Sequence, residues 1–221
     1  MSTPSISDLE YAFLASEMGY DPALATPSLA VLRSQFYGQG GLRANYQKND
    51  TMTSGQNTIP RYAATTSVTT ATQLALITYF NSIKTETVNN LYTITGGTAA
   101  AATPSLCRIG LYSVNTSTGL LTLIGSTPND TTLFAATFTR YLKAMSAGVA
   151  IKAGLRYAKV DLVVTAVATP SFYGSYGVES AEMGRSPRLA GALSGQADLP
   201  ATIAEASITN LNALVYGGIT P

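Results

Sequence analysis

An alternation of apolar and polar residues with a period of two, running from about residue 67 to 168, most constrains the fold of this chain. The clearest run follows Arg156, where Ala158, Val160 and Leu162 alternate with polar side chains. Successive side chains of an extended strand point to opposite faces, so each such run predicts a strand with one apolar face. The predicted strands lie at 73–80, 88–95, 107–112, 120–124, 138–143, 148–152 and 157–166, with a weaker closing strand at 207–215. Short strands separated by closely spaced turn signals predict a mainly β fold, an antiparallel jelly-roll-like β-sandwich.

Residues 1–37 have a different period and predict two short helices. Ser7 and Glu10 have the spacing of a capping box at the start of the first helix. Apolar residues fall on one face of the two helices at helical spacing, namely Leu9, Phe13, Leu29, Leu32 and Phe36. Helices this short are not stable alone in water, so another surface must cover this stripe. Two alternatives are open: the stripe packs on the chain's own sandwich, or it docks on another subunit.

The pattern therefore divides the chain into three parts. Residues 1–37 are predicted to be a helical attachment segment. Residues 38–66, which are rich in Gly, Asn, Gln and Thr and have no period, are predicted to be an extended linker. Residues 67–221 are predicted to be the sandwich domain, with a loop-rich C-terminal stretch.

Composition excludes several classes of function. The chain has no histidine and one cysteine, which removes histidine-dependent catalysis and thiolate zinc sites. Only 11% of residues are charged and the net charge is +1, which disfavours nucleic-acid binding. No apolar run reaches the length of a membrane span, and residues 1–10 lack the pattern of a signal peptide. We therefore expect a protein made in the cytoplasm, without membrane insertion.

Carboxylates would have to carry any acid–base chemistry, and glycoside hydrolysis needs two of them across the bond that is cut. The predicted β region offers Glu86, Asp130 and Asp161. Asp161 shares one side of its predicted strand with Lys159, which favours solvated surface charges. Asp130 follows Asn129 in a predicted turn, where both side chains commonly bond local backbone, and Ca²⁺ would need about six to eight oxygen ligands. We predict no catalytic residue, no metal and no cofactor, with a glycan-degrading enzyme as a remaining alternative.

Three further side chains have more than one interpretation. Tyr173 and Tyr176 lie in a stretch rich in Gly and Tyr. Their rings could cover the end of the sandwich, contact another protein, or form a surface on which sugars stack. Cys107 alternates in step with Ile109, which predicts a small buried hydrophobic residue rather than a nucleophile.

Several stretches together resemble a module of structural proteins of tailed bacteriophages that infect actinobacteria, often minor tail proteins. In the predicted β region they are Arg108–Val114, Leu121–Phe134 and Ala153–Ala158, and in the helical segment Asp8–Tyr11 and Ser28–Tyr37. The resemblance lies in the pattern of core and turn residues. It implies a component of the virion.

The combined expectation is a non-enzymatic virion structural protein, a minor tail or appendage component. The helical segment would dock on other virion proteins, and the sandwich would face outward and contact the host surface. Expected partners are further copies of the chain (a trimer by analogy), other virion proteins and a host cell-surface glycan, with no nucleic acid. Alternatives are a capsid decoration protein or head fibre, and a carbohydrate-binding module.

Overall fold

Thirteen strands and two 3-10 helices make up the part of the chain that the structure, a computed structural model, describes. The described residues are 55–100, 104–165, 167–176 and 188–221. They belong to the unit Met52–Pro221, the second of two units into which the chain divides. The predicted helices of residues 1–37 lie outside the described residues.

The elements alternate with short connections along the chain. The strands are β1 (Gln56–Asn57), β2 (Thr66–Thr69), β3 (Ala75–Asn81), β4 (Glu86–Ile94), β5 (Leu106–Val114), β6 (Leu121–Ser126), β7 (Arg140–Ile151), β8 (Arg156–Val164), β9 (Ser171–Tyr176), β10 (Ala190–Leu193), β11 (Thr202–Ile203), β12 (Ala213–Val215) and β13 (Gly217–Thr220). The 3-10 helices are η1 (Arg61–Ala63) and η2 (Glu205–Ser207).

The strands form antiparallel sheets that pack as a β-sandwich, which confirms the predicted fold class. One layer is a six-stranded sheet in the order β10-β3-β8-β5-β6-β11. A four-stranded sheet (β1-β13-β4-β7) and a three-stranded sheet (β12-β9-β2) supply the side chains that face it. An isolated bridge between Thr95 and Phe172 joins these two smaller sheets.

The main core lies between these layers. One face of the six-stranded sheet contributes Leu76, Ile109 and Val163, and the facing sheets contribute Leu91 and Phe172, all almost completely buried. Burial of apolar surface on this scale is the dominant stabilising term of such a fold. Alternation along the strands therefore selects which residues form the core, as the period predicts.

A second apolar cluster covers the opposite face of the six-stranded sheet. Ile77 and Val160 point to this side, because they alternate with residues that face the main core. The C-terminal segment lies over them and contributes Leu199, Ile203 and Ile208. Both faces of β8 are consequently buried, so this central strand has no solvent-exposed side.

The structure differs from the expected strands in several places. The short strands β1, β2, β10, β11 and β13 are not predicted, and only Ala213–Val215 of the expected strand 207–215 is a strand. The predicted strands 138–143 and 148–152 belong to one strand, β7, whose pairing with β4 is interrupted by a shift of register between Ala144 and Val149. β9 is not predicted because its Gly and Tyr residues obscure the alternation. It pairs with β2 on one side and with β12 on the other, and Gly174 pairs with both.

The sandwich begins earlier in the chain than the expected boundary at residue 67. Gln56 and Asn57, at the end of the predicted linker, form β1 and pair with β13. Gln56 and Ile59 are buried. The rest of that linker, residues 38–54, lies outside the described residues.

Candidate binding surface

The two tyrosines suggested as a sugar-stacking surface do not form one platform. Both lie on β9, three residues apart, so alternation places their side chains on opposite faces of the strand. Tyr173 is half-buried and packs against the cluster of Ile59 and Tyr92. Tyr176 is 45% exposed, and its hydroxyl accepts a hydrogen bond from the backbone N–H of Thr69 at 3.2 Å. Any recognition by these rings would therefore involve each one separately.

Asp161 and Lys159 are not surface charges, and this prediction was wrong. Both side chains are completely buried, with Lys159 Nζ 2.5 Å from Asp161 Oδ2. The hydroxyl of Thr93 on β4 donates to Asp161 Oδ1 at 2.5 Å. The error arose because alternation distinguishes two faces of β8 but does not show that both are covered. The pair lies in the interior of the sandwich.

The pKa of Lys159 reflects the free-energy cost of burying this pair. Loss of hydration lowers the pKa of Lys159 below its ordinary value of 10.5, and the nearby Asp161 carboxylate opposes that effect. The ammonium group occupies space that a side chain at position 217 would need, because a Cβ on Gly217 would lie 2.9 Å from Nζ. The pair is enclosed by protein atoms, which leaves no room for a substrate.

Asp130 has the role in a turn that its sequence context predicts. Its Oδ1 accepts from the backbone N–H of Thr132 at 2.9 Å, and its Oδ2 lies 2.5 Å from Lys143 Nζ. These contacts, led by the one with Lys143, lower the pKa of Asp130 from 3.8 to about 2. The preceding Asn129 is also used within the fold, since its amide bonds the backbone of Cys107 and Ser105.

The other described carboxylates also have partners within the fold. Glu86 Oε1 accepts from Gln56 Nε2 at 2.8 Å. Asp198 forms an ion pair with Arg108 at 2.8 Å, and Glu205 with Arg188 at 3.3 Å. In the part of the chain that the structure describes, each of the five carboxylates thus has its own separate partner.

Cys107 is completely buried in the main core, as its place in the alternation predicts. Burial raises the pKa of its thiol from 9.0 to about 12. A thiol that stays protonated and inaccessible is a poor nucleophile. Cys107 therefore acts as a small core residue.

A cleft that the sequence did not indicate opens at one end of the six-stranded sheet. Antiparallel pairing brings the ends of β3 and β5 beside the start of β8. The hairpin loop after β5 and the helix η2 complete its walls. The cleft has a volume of about 90 Å³ and is lined by Tyr79, Val114, Asn115, Thr116, Ser117, Gly119, Arg156, Arg188 and Glu205.

Two arginines and one carboxylate give this cleft its charge. Arg156 Nη2 donates to the backbone carbonyl of Arg188, and its guanidinium carbon lies 5.3 Å from the centre of the Tyr79 ring. Arg188 donates from Nε to Glu205 and from Nη1 to Asn210 Oδ1, the latter at 2.6 Å. The cleft therefore has one more positive group than negative.

The hairpin loop between β5 and β6 has a conformation that lets Glu205 approach it closely. Asn115 Oδ1 accepts from the backbone N–H groups of Ser117 and Thr118, which holds the loop closed. Gly119 has φ +70°, and a Cβ there would lie 2.0 Å from Glu205 Oε2. Glycine is therefore required both by the backbone conformation and by the close approach of the carboxylate.

The residues proposed to dock on other virion proteins lie outside the described residues. They are Leu9, Phe13, Leu29, Leu32 and Phe36. Within the described ranges, no helix is long and apolar enough to cross a bilayer. Nor do three or more of the described acidic or cysteine side chains come together in a group that could bind a metal ion.

Comparison with known proteins adds no family assignment. The sequence matches no protein-family model, and it has no significant match among curated proteins.

Proposed function

We propose that this chain is a non-enzymatic structural protein of a tailed bacteriophage particle, a minor tail or appendage component. Its N-terminal segment docks on other virion proteins, and its β-sandwich faces outward and contacts the host surface. The resemblance of residues 105–160 and 7–37 to phage structural modules supports this assignment. The antiparallel sandwich supplies a rigid body of the kind that such a component needs.

The distribution of the carboxylates is the observation that carries the proposal. In a chain without histidine, carboxylates would be the main groups available for acid–base catalysis. The described ones are instead held one by one in contacts within the fold, and Asp161 is completely buried. A glycosidase needs two carboxyl groups facing the same bond. This arrangement favours a role in binding and assembly.

The exposed surface also supports assembly with other copies. β7 is an edge strand twelve residues long, and Leu142 on it is 47% exposed. Phe138, in the loop just before it, is 69% exposed. Long edge strands with few charges readily pair with a further chain, and neighbouring exposed apolar residues often mark contacts. A homo-oligomer would cover this edge.

Truncation tests the docking role of the N-terminal segment. A chain lacking residues 1–40 should fold and give the β-sheet circular dichroism spectrum expected of the sandwich. When it replaces the full chain during particle assembly, it should not be incorporated. Leu32→Asp should cause the same loss of incorporation, because a charge on the apolar stripe would be buried unpaired at the contact. Ser34→Asp, which is off the stripe, is the matched control and should be incorporated normally.

Two results would contradict this role. Normal incorporation of the truncated chain would show that the segment does not dock. An unfolded truncated chain would show that the segment is part of the sandwich core.

Imaging of intact particles tests where on the particle the protein is located. A tail or appendage component should be seen at one end of the particle in few copies, whereas hundreds of copies over the head would identify a decoration protein instead.

A further inference from the structure

Arg156 differs from Arg188, the other arginine of the cleft, because no carboxylate in the described part of the chain pairs with it. It is half-buried, yet none of the described carboxylates forms an ion pair with it. Burial lowers the pKa of its guanidinium. Charged groups taken out of water are normally paired, so a half-buried guanidinium that none of the described carboxylates pairs with can accommodate an anion.

The rest of the cleft presents mainly hydrogen-bond donors. Arg156 has five N–H groups, and one of its nitrogens donates to the Arg188 carbonyl. Burial raises the pKa of Tyr79 to about 12, so its phenol remains protonated and can donate. The side-chain oxygen of Asn115 accepts from the loop backbone, and the amide nitrogen of this cleft residue is a donor only. Donors around a net positive charge match the lone pairs of an oxyanion.

The size of the cleft limits what can enter it. A volume of about 90 Å³ accommodates one small anionic group rather than a polymer segment. A shallower groove adjoins it, shares Arg188 and Glu205, and runs past Thr118 and Leu120. A sugar or polyol that carries the anionic group could lie along this groove.

We propose that the cleft binds a carboxylate or phosphate group carried by a sugar or polyol of a surface polymer, with Arg156 as the residue that pairs with the anion. The assignment of the ligand to a host surface rests on the proposed function, whereas binding of the anionic group depends only on the cleft. The shared chemistry is an oxyanion on a hydroxyl-rich carrier. An acidic sugar and a polyol phosphate both have this combination of groups.

Titration of the purified full chain with small probes tests the proposal. Glucuronate and glycerol 3-phosphate are the two arms, glucose is the neutral control, and binding is followed by calorimetry or by NMR shifts. At least one of the two anions should bind with a dissociation constant in the millimolar range or below, and glucose should not bind. Glucuronate alone would identify a carboxylate-bearing sugar as the source, and glycerol 3-phosphate alone a phosphate-bearing polyol.

Variants locate the binding. Arg156→Gln should weaken anion binding by at least about tenfold, because charge-assisted hydrogen bonds are lost. Arg156→Lys should retain part of the affinity, since the charge remains. Glu205→Gln should strengthen binding by about threefold, because it removes the negative charge of the cleft.

Arg108→Gln is the matched control, since it removes a strand guanidinium whose partner, Asp198, does not line the cleft. It should leave the affinity unchanged, and thermal melting should show that all variants are folded.

The proposal is overturned if neither anion binds, if glucose binds as well as the anions, or if the two glutamine variants at positions 156 and 108 lose affinity equally. The assay needs no virus particle. If the anion binds but the chain is not found in particles, the virion role alone is rejected. If the chain is found in particles but neither anion binds, the cleft proposal alone is rejected.

Discussion

Replacing one member of the buried ion pair, Lys159 or Asp161, should destabilise the sandwich far more than replacing both. Lys159→Met leaves the carboxylate of Asp161 completely buried with Thr93 as its hydrogen-bond donor. Removing one partner of a buried pair typically costs about 3–5 kcal/mol. Asp161→Leu should cost a similar amount, because the desolvated ammonium then loses its counter-charge.

The double variant Lys159→Met/Asp161→Leu removes both charges and replaces each side chain with an apolar one of similar length. Such replacements are typically neutral or stabilising by about 1–4 kcal/mol, because the desolvation cost disappears together with the attraction. The hydroxyl of Thr93 would lose its acceptor, which subtracts roughly 1 kcal/mol from that gain. The double variant should therefore be close to the original chain in its free energy of unfolding.

Urea unfolding, followed by far-ultraviolet circular dichroism, measures these differences. With a denaturant dependence of about 2 kcal/mol per molar, a loss of about 4 kcal/mol lowers the midpoint by about 2 M. Asp161→Asn offers a milder variant if either single replacement prevents folding.

The reasoning is refuted if the single variants each lose less than about 1 kcal/mol, which is the range of solvated surface pairs. It is also refuted if the double variant loses the sum of the two single losses, since residues in direct contact should not be additive.

Three other predictions follow from particular contacts. The contact with Lys143 lowers the pKa of Asp130 from 3.8 to about 2, so the ion pair contributes fully to stability above pH 3.8 and its contribution is lost as the pH falls through about 2. Asp130→Asn should remove about 1 kcal/mol of this acid-sensitive stability. Urea unfolding of both chains at about pH 6 and at about pH 2 measures the difference. Gly154→Ala should cost about 1 kcal/mol because φ is +80° and no atom lies within 4 Å. Gly119→Ala should cost clearly more, because its Cβ would meet a carboxylate oxygen at 2.0 Å, and equal losses in thermal melting would contradict the contact. The buried Cys107 thiol, with its pKa of about 12, should resist iodoacetamide at about pH 8 until the chain is unfolded, and mass spectrometry would reveal labelling of the native chain.

Strand positions were predictable from the sequence because alternation is a local property. The run after Arg156 predicted β8, and the run through Cys107 and Ile109 predicted β5 together with the burial of the thiol. Short segments such as β10 carry no local signal, because their pairing depends on a distant strand that is already in place. Long-range pairing of this kind is decided by the whole sheet rather than by the segment itself.

The cleft could not be predicted for the same reason. Tyr79, Asn115, Arg156, Arg188 and Glu205 are far apart in the sequence, and no two of them form a motif. Strand pairing brings the first three together, and the returning C-terminal segment adds the last two. The nearest sequence signal is the arginine at the first position of β8, which follows a turn and precedes the alternating run.

The buried pair also bears on how β8 keeps its register. A slip of one residue would turn Lys159 and Asp161 toward the second apolar cluster, away from the hydroxyl of Thr93. β8 is buried on both faces and has Val at 160, 163 and 164, which occupy both faces, so hydrophobic burial alone distinguishes the two registers weakly. The two charges lie on the same strand and would stay paired with each other, but Asp161 would lose the hydrogen bond from Thr93, and leaving a buried charged group without such a partner costs about 1–3 kcal/mol. The ion pair thus penalises the slipped arrangement, which accounts for a charged pair in the centre of a sheet whose stability it does little to raise.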